Sequence, residues 1–142
     1  MFKMFGIKRT PNDDLWSLII RVRAKWHCER CGLDCSSNKG YLDGAHIIRR
    51  GNWSMRHEVE NGVALCKSCH LNFDDPRGEA EERLRKMKDN LRWIKKHLGH
   101  YRWKKLIIYK SRVTPNVKSK ATQELIRVYL ENELKKLTET MA

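Results

Sequence analysis

Asn61-Gly62-Val63-Ala64-Leu65-Cys66-Lys67-Ser68-Cys69-His70 is the stretch whose reading decides the fold. It sets an amide, two thiols and an imidazole around a short apolar run. Upstream, Cys28-Glu29-Arg30-Cys31 supplies a second Cys-x-x-Cys pair, and His46 lies between the two. Zinc takes four ligands in a tetrahedron, and each Cys-x-x-Cys turn delivers two thiolates from one bend of chain. Cys28, Cys31, Cys66 and Cys69 therefore read as a closed four-thiolate zinc site. Closure leaves no position for substrate, so this zinc is structural. Cys35 reads as a bystander thiol beside the first knuckle, or as a replacement for Cys31 in the ligand set. With 34 residues between Cys31 and Cys66, the spacing is longer than a simple zinc ribbon needs, and the inserted segment carries the unusual residues.

Working outward, the 142 residues are enough for one core with an appended element, although 40% apolar and 33% charged is a lean mixture for burial. Small cores of this kind are often stapled by a metal. The formal net charge is +13, from 30 basic and 17 acidic residues. Such an excess suits an acidic polymer, nucleic acid before membrane. No apolar run approaches the ~20 residues of a membrane span. The opening Met1 to Arg9 is too short and too charged for an export signal, so a reducing, cytoplasmic setting is expected. There, paired Cys-x-x-Cys motifs mean metal rather than disulfide.

Thr10-Pro11-Asn12-Asp13 predicts a helix start, with a capping hydroxyl, proline at the first helical position and acid in the first turn. Leu15, Leu18, Ile19, Val22 and Trp26 follow at helical spacing and predict its buried stripe. Trp16 and Trp26 are expected in the core. Residues 41–48 read as a strand, broken by Arg49-Arg50-Gly51-Asn52. Val63-Ala64-Leu65 reads as the return strand, with a helix from about Cys69 to before Pro76. Beyond Gly78 the composition shifts: Ala80, Leu84, Met87, Leu91, Ile94 and Leu98 predict a long basic helix that Gly99 terminates. Trp103, Leu106 and Ile107 suggest a shorter helix, with a strand as the alternative. Leu125, Val128, Leu130, Leu134 and Leu137 predict a last one. From Glu79 onward, 17 basic against 8 acidic residues place +9 of the charge in this half. The expected organisation is an N-terminal helix and zinc-stapled core over 1–78, and a basic helical extension over 79–142.

Asp43-Gly44-Ala45-His46-Ile47-Ile48, then Asn61, then Cys66-Lys67-Ser68-Cys69-His70 together resemble the HNH endonuclease family. With knuckles on both sides and a basic helical tail, the chain is similar to small stand-alone members from phages and prophages. The core motifs cover about Cys28 to Asp74. The resemblance implies an α+β, mostly helical protein built on a ββα-metal core of hairpin, loop and helix around one divalent ion. It implies a DNA endonuclease that uses Mg or Mn beside the structural zinc and leaves a 3′-hydroxyl and a 5′-phosphate. DNA is then the partner, with no membrane and no small-molecule substrate, in a host cytoplasm if the chain is phage encoded.

Phosphodiester hydrolysis needs a base for water and an ion to neutralise charge on the phosphate. The implied base is His46, since a neutral imidazole takes a proton near pH 7. The Asn61 amide would tie the loop and orient that ring, and His70 would hold the ion. Many members place Asp or His immediately before the base as a second ligand, where this sequence has Ala45. Asp74, four residues after His70 on the same helix face, is the best substitute. Asp43 is the alternative, although strand alternation puts it opposite His46. Arg49, Arg50 and Arg56 can clamp a scissile phosphate. Lys95, Lys96, Arg102, Lys104 and Lys105 can track the backbone. Two rivals stand beside this: a zinc-stapled DNA binder without catalysis, and an RNA-binding zinc ribbon. The ribbon explains the charge but not His46, Asn61 and His70 together.

Overall fold

The computed structural model describes residues 8–141, the last as backbone only. Residues 1–7, most of the segment judged unfit for export, lie outside the described residues. Chain order is α1 (Pro11–Arg23), β1 (Leu42–His46), β2 (Gly62–Cys66), α2 (Lys67–Asp74), α3 (Ala80–Lys110) and α4 (Lys120–Met141). Short 3-10 turns at Lys39–Tyr41 and Val59–Asn61 lead into the two strands. The class is α+β and mostly helical.

Helix α1 begins where its capping residues dictate. The Thr10 hydroxyl accepts from the Asp13 amide at 3.3 Å, and the Asp13 carboxylate accepts from the Thr10 amide at 2.7 Å. Its buried face differs from the expected stripe. Trp16, Ile19 and Ile20 are buried, whereas Leu15, Leu18 and Val22 are only partly covered. Nor is Trp26 part of the helix. Lys25 and Trp26 turn with φ of 51° and 61°, which redirects the chain into the first knuckle. The indole is partly buried against the edge of the core, between the cations of Arg21 and Lys39.

Strands β1 and β2 pair antiparallel, with Asp43 opposite Leu65 and His46 opposite Gly62. Helix α1 crosses the face that carries Gly44 and His46. Its approach explains Gly62, where a Cβ would overlap Ile20 and Trp16. Ala45, on the other face, is fully buried. The first knuckle docks on β2: the Glu29 amide donates to the Ala64 carbonyl at 2.8 Å, and the Glu29 carboxylate accepts from the Ala64 amide.

Helix α3 breaks at Gly99, whose φ of 80° and ψ of 165° are not helical, so two helices meet there. Residues 106–109 are helical, which settles the alternative left open for them. Periodicity misleads on two faces. Leu84, Met87 and Leu91 are 52%, 57% and 46% exposed, because the first turns of α3 run off the core. Leu125 and Val128 face outward as well; Ile126, Tyr129, Leu130, Leu134 and Leu137 form the packed side of α4. That side lies along α1, where Asn12 Nδ2 donates to the Gln123 carbonyl at 2.9 Å. One hydrophobic cluster joins Trp16, Ile20 and Val63 to Ile94 and Leu130. The segments before and after residue 78 thus share a core. Among the described residues no helix is long and apolar enough to cross a membrane.

Candidate active site and metal centre

The hairpin brings the two Cys-x-x-Cys turns together from opposite ends. Cys28 and Cys31 precede β1; Cys66 and Cys69 sit where β2 passes into α2. The four sulfurs lie within 4.8 Å of one another, and Cys31 Sγ is 3.8 Å from Cys66 Sγ. A tetrahedron with metal–sulfur bonds of ~2.3 Å has edges of roughly 3.8 Å, so the set fits zinc. Burial pushes the Cys28 thiol up, but backbone amides of Cys31, Cys66 and Arg30 outweigh it and bring it down to about 7. Burial and neighbouring sulfur push the Cys66 and Cys69 thiols up. A cation at the centre removes that conflict. Cys35 is buried with its sulfur toward the Leu33 carbonyl, outside the four-sulfur set.

On the first turn of α2, His70 lies between two carboxylates. Its Nδ1 is 2.8 Å from Asp43 Oδ2 and its Nε2 is 2.8 Å from Asp74 Oδ2. Burial opposes charge on the ring, yet the two carboxylates prevail and raise its pKa to about 9. Asp43 also takes the Lys67 ammonium at 2.7 Å on its other oxygen. Burial notwithstanding, His70 and Lys67 bring its carboxyl down to about 2. Asp43 and Ala45 share a face of β1, which is the face α2 covers. A carboxylate therefore reaches His70 from two residues upstream of the position that Ala45 leaves empty of a ligand. As donors, one imidazole nitrogen and carboxylate oxygens suit a hard divalent ion. The ring could give an ion only one nitrogen, so one carboxylate would join it in holding the ion and the other would orient the ring.

His46 ends β1 on the opposite face. Its ring stacks on Trp16 with centroids 4.0 Å apart and planes 9° from parallel. Nε2 lies 2.9 Å from the Arg56 carbonyl. A carbonyl only accepts, so Nε2 carries the hydrogen and Nδ1 keeps its lone pair. Burial lowers the ring's pKa to about 4, against the upward pull of that carbonyl, and the imidazole is neutral at pH 7. Both histidines nonetheless line one cleft of about 1400 Å³, because β1 is an edge strand and the cleft runs around that edge.

Asn61 is fully buried. Its Oδ1 accepts from the Ile48 amide at 2.7 Å, and Nδ2 donates to the carbonyls of Ile48 and Met55 at 3.0 and 3.1 Å. It thereby ties together both ends of the loop after β1, next to the Arg56 carbonyl that holds His46.

The expected DNA-binding residues divide. Arg49 and Arg50 line the cleft. Lys95, Lys96 and Lys104 are exposed on α3, and Lys105 is partly covered with its ammonium over Tyr109. Arg56 and Arg102 are corrections. Arg56 is 0% exposed and donates through Nε to Asp13 at 2.7 Å, so its guanidinium is buried in an ion pair and not offered at the surface. The Arg102 guanidinium is spent on the Glu60 carboxylate and on the carbonyls of Glu60 and Gly62, where it secures the start of β2.

With this geometry in place, comparison with known families is informative: residues 28–74 match the model of the HNH endonuclease family. Over that span the chain is similar to HNH domains. The matched segment begins at the first zinc knuckle and ends at Asp74, and so contains His46, Asn61 and His70. HNH domains support a nuclease-type function and imply DNA as partner. No curated protein and no solved structure matches the chain. Around the matched segment, sequence reasoning misses Asp13, the Trp16 platform and the Arg56 carbonyl. Asp13 is recognisable as a helix-capping acid and Trp16 as core, but nothing local shows that either serves His46. Arg9 and Arg83, also overlooked, line the cleft.

Proposed function

We propose that this chain is a metal-dependent endonuclease that hydrolyses DNA phosphodiester bonds, with His46 as general base. Support comes from one observation: the Arg56 carbonyl fixes the His46 ring so that a neutral nitrogen is left to take a proton, in the cleft that His70 also lines. Nδ1 of His46 accepts the proton of the attacking water. Trp16 keeps the ring in plane while it does so, and Asn61 holds the loop that bears the carbonyl. His70 and Asp74 would hold a divalent ion of the Mg or Mn kind, which supplies charge neutralisation at the phosphate. Asp43, with both oxygens already engaged, orients His70. Arg49 and Arg50 take the strand's phosphates, and Lys95, Lys96, Lys104 and Lys105 extend the basic path along α3. The cysteines hold a structural zinc. A phage or prophage origin fits the small stand-alone form.

Plasmid cleavage at low salt, with Mg, Mn or EDTA, tests this reading. Wild-type protein is expected to relax or linearise the plasmid only with metal. His46→Ala should lose about 10²–10⁴-fold in rate, with circular dichroism used to verify that the variant is folded at the assay temperature. Equal cutting by both would refute His46 as the base. A gel shift by both proteins without any cutting would make the chain a non-catalytic DNA binder.

A further inference from the structure

The cleft has two unlike walls. One carries the two histidines with Arg9, Arg49 and Arg50; the other is the first half of α3, which presents Leu84, Met87 and Leu91. These three follow at helical spacing and so stack on one face. They are 52%, 57% and 46% exposed, although Ile94, one turn further along, is 2% exposed. Helix α3 thus carries its apolar face off the core and over the site.

A matched duplex turns charged phosphate and sugar outward and keeps its bases stacked inside. Such a surface gains nothing from an aliphatic wall, and desolvating phosphates against one is costly. An unstacked base is different. It presents an uncharged face that any apolar side chain can cover, whatever the sequence. Leucine and methionine are among the side chains that wedge between base steps and kink a duplex. The cleft's own charges balance, with Arg9, Arg49, Arg50 and Arg83 against Asp13, Asp43, Asp74 and Asp75; the chain's net charge of +13 is what favours a nucleic acid over a protein segment as occupant.

We infer that the cleft takes DNA opened at the cut, with the scissile phosphate toward His46 and His70 and unstacked bases against Leu84, Met87 and Leu91. The substrate class is kinked, bubbled or branched DNA in preference to matched duplex. This rests on the nuclease reading for what lies across the cleft, but it is measurable without cleavage.

Fluorescence anisotropy in EDTA would compare a matched duplex with the same duplex carrying a central unpaired bubble. The wild type is expected to favour the bubble by about tenfold or more. In the triple variant L84S/M87S/L91S the bubble-to-duplex ratio should fall toward one. All three side chains are exposed, and circular dichroism would verify the fold. Equal affinity of the wild type for both DNAs overturns the inference, as does a triple variant that keeps the preference. A wild-type dimer that the variant dissociates, with the DNA preference intact, overturns it too and assigns the stripe to a second copy of the chain. If the bubble preference behaves as expected while no DNA is cut with Mn, the inference stands and the nuclease reading falls.

Discussion

His70 and His46 are the same residue type held in opposite protonation states. With a carboxylate on each nitrogen at 2.8 Å, His70 stays protonated up to about pH 9 when no cation is bound. A divalent ion needs a lone pair at that ring, so loading must expel the proton. Below about 9, each unit fall in pH adds ~tenfold proton competition. Apparent ion affinity should therefore rise with pH from 6 to 8 and level off above about 9. Calorimetric titration with Mn in buffers of different ionisation enthalpy should show close to one proton released per ion. Asp43→Asn should flatten the slope by removing one of the charges that hold the proton. An ion affinity independent of pH over this range would mean that the ion is not at His70. His46, held down by burial to about 4, is unprotonated throughout. At saturating metal the cleavage rate should accordingly stay level from pH 8 to 6; an acid limb near 6.5 would place an ordinary, solvated histidine at the base.

At the scale of elements, α1 is the support of the loop that follows β1. Asp13 closes the capping box of that helix, and its carboxylate also receives Arg56 Nε at 2.7 Å and faces His57 Nε2 at 2.9 Å. Despite burial, Arg56 and His57 hold the Asp13 carboxyl far below its usual range. The guanidinium so anchored belongs to the residue whose carbonyl holds His46, so α1 fixes the ring proposed as the base. Asp13→Ala would leave a buried guanidinium without its counter-charge, at a cost of about 3–5 kcal/mol. It is expected to lower stability in urea by that order and to reduce kcat, with KM little changed. Arg49→Ala, on the cleft wall, should do the reverse. Unchanged urea stability of Asp13→Ala would mean that the ion pair does not hold the loop. The sequence makes half of this legible. Thr10, Pro11 and Asp13 specify a helix start through contacts three residues apart, which local chemistry reveals. The bond from Asp13 to Arg56 spans 43 residues, and an arginine in a polar loop has no periodicity to mark it as buried. Leu84, Met87 and Leu91 mislead in the other direction, because helical spacing defines a face but not what covers it.

For the whole molecule the decisive quantity is how little sheet there is. Two strands of five residues cannot stand alone as a hairpin in water. They are held by α1 on one face, by α2 on the other, and by the knuckles at the hairpin's ends. The cysteine spacing makes that staple readable at once, since two thiolates per turn is a local property; that Glu29 also sutures the first knuckle to β2 is not. Zinc binding to such sites contributes about 10–16 kcal/mol of folding free energy, comparable to the ~5–15 kcal/mol that stabilises a typical domain. Metal analysis should therefore find one zinc per chain, lost in Cys69→Ser. Stripping zinc with a strong chelator under reducing conditions should abolish the near-ultraviolet signal of Trp16, which is buried against the hairpin. Much of the far-ultraviolet helicity in α3 and α4 should remain. Cleavage should then fail even with Mg or Mn supplied, and return only when zinc is restored as well. That order of rescue separates the two metals, because EDTA treatment mild enough to leave zinc in place is reversed by Mg or Mn alone. A stripped protein that keeps its melting temperature would show that the helices hold the hairpin without the staple, and the four cysteines would need another explanation.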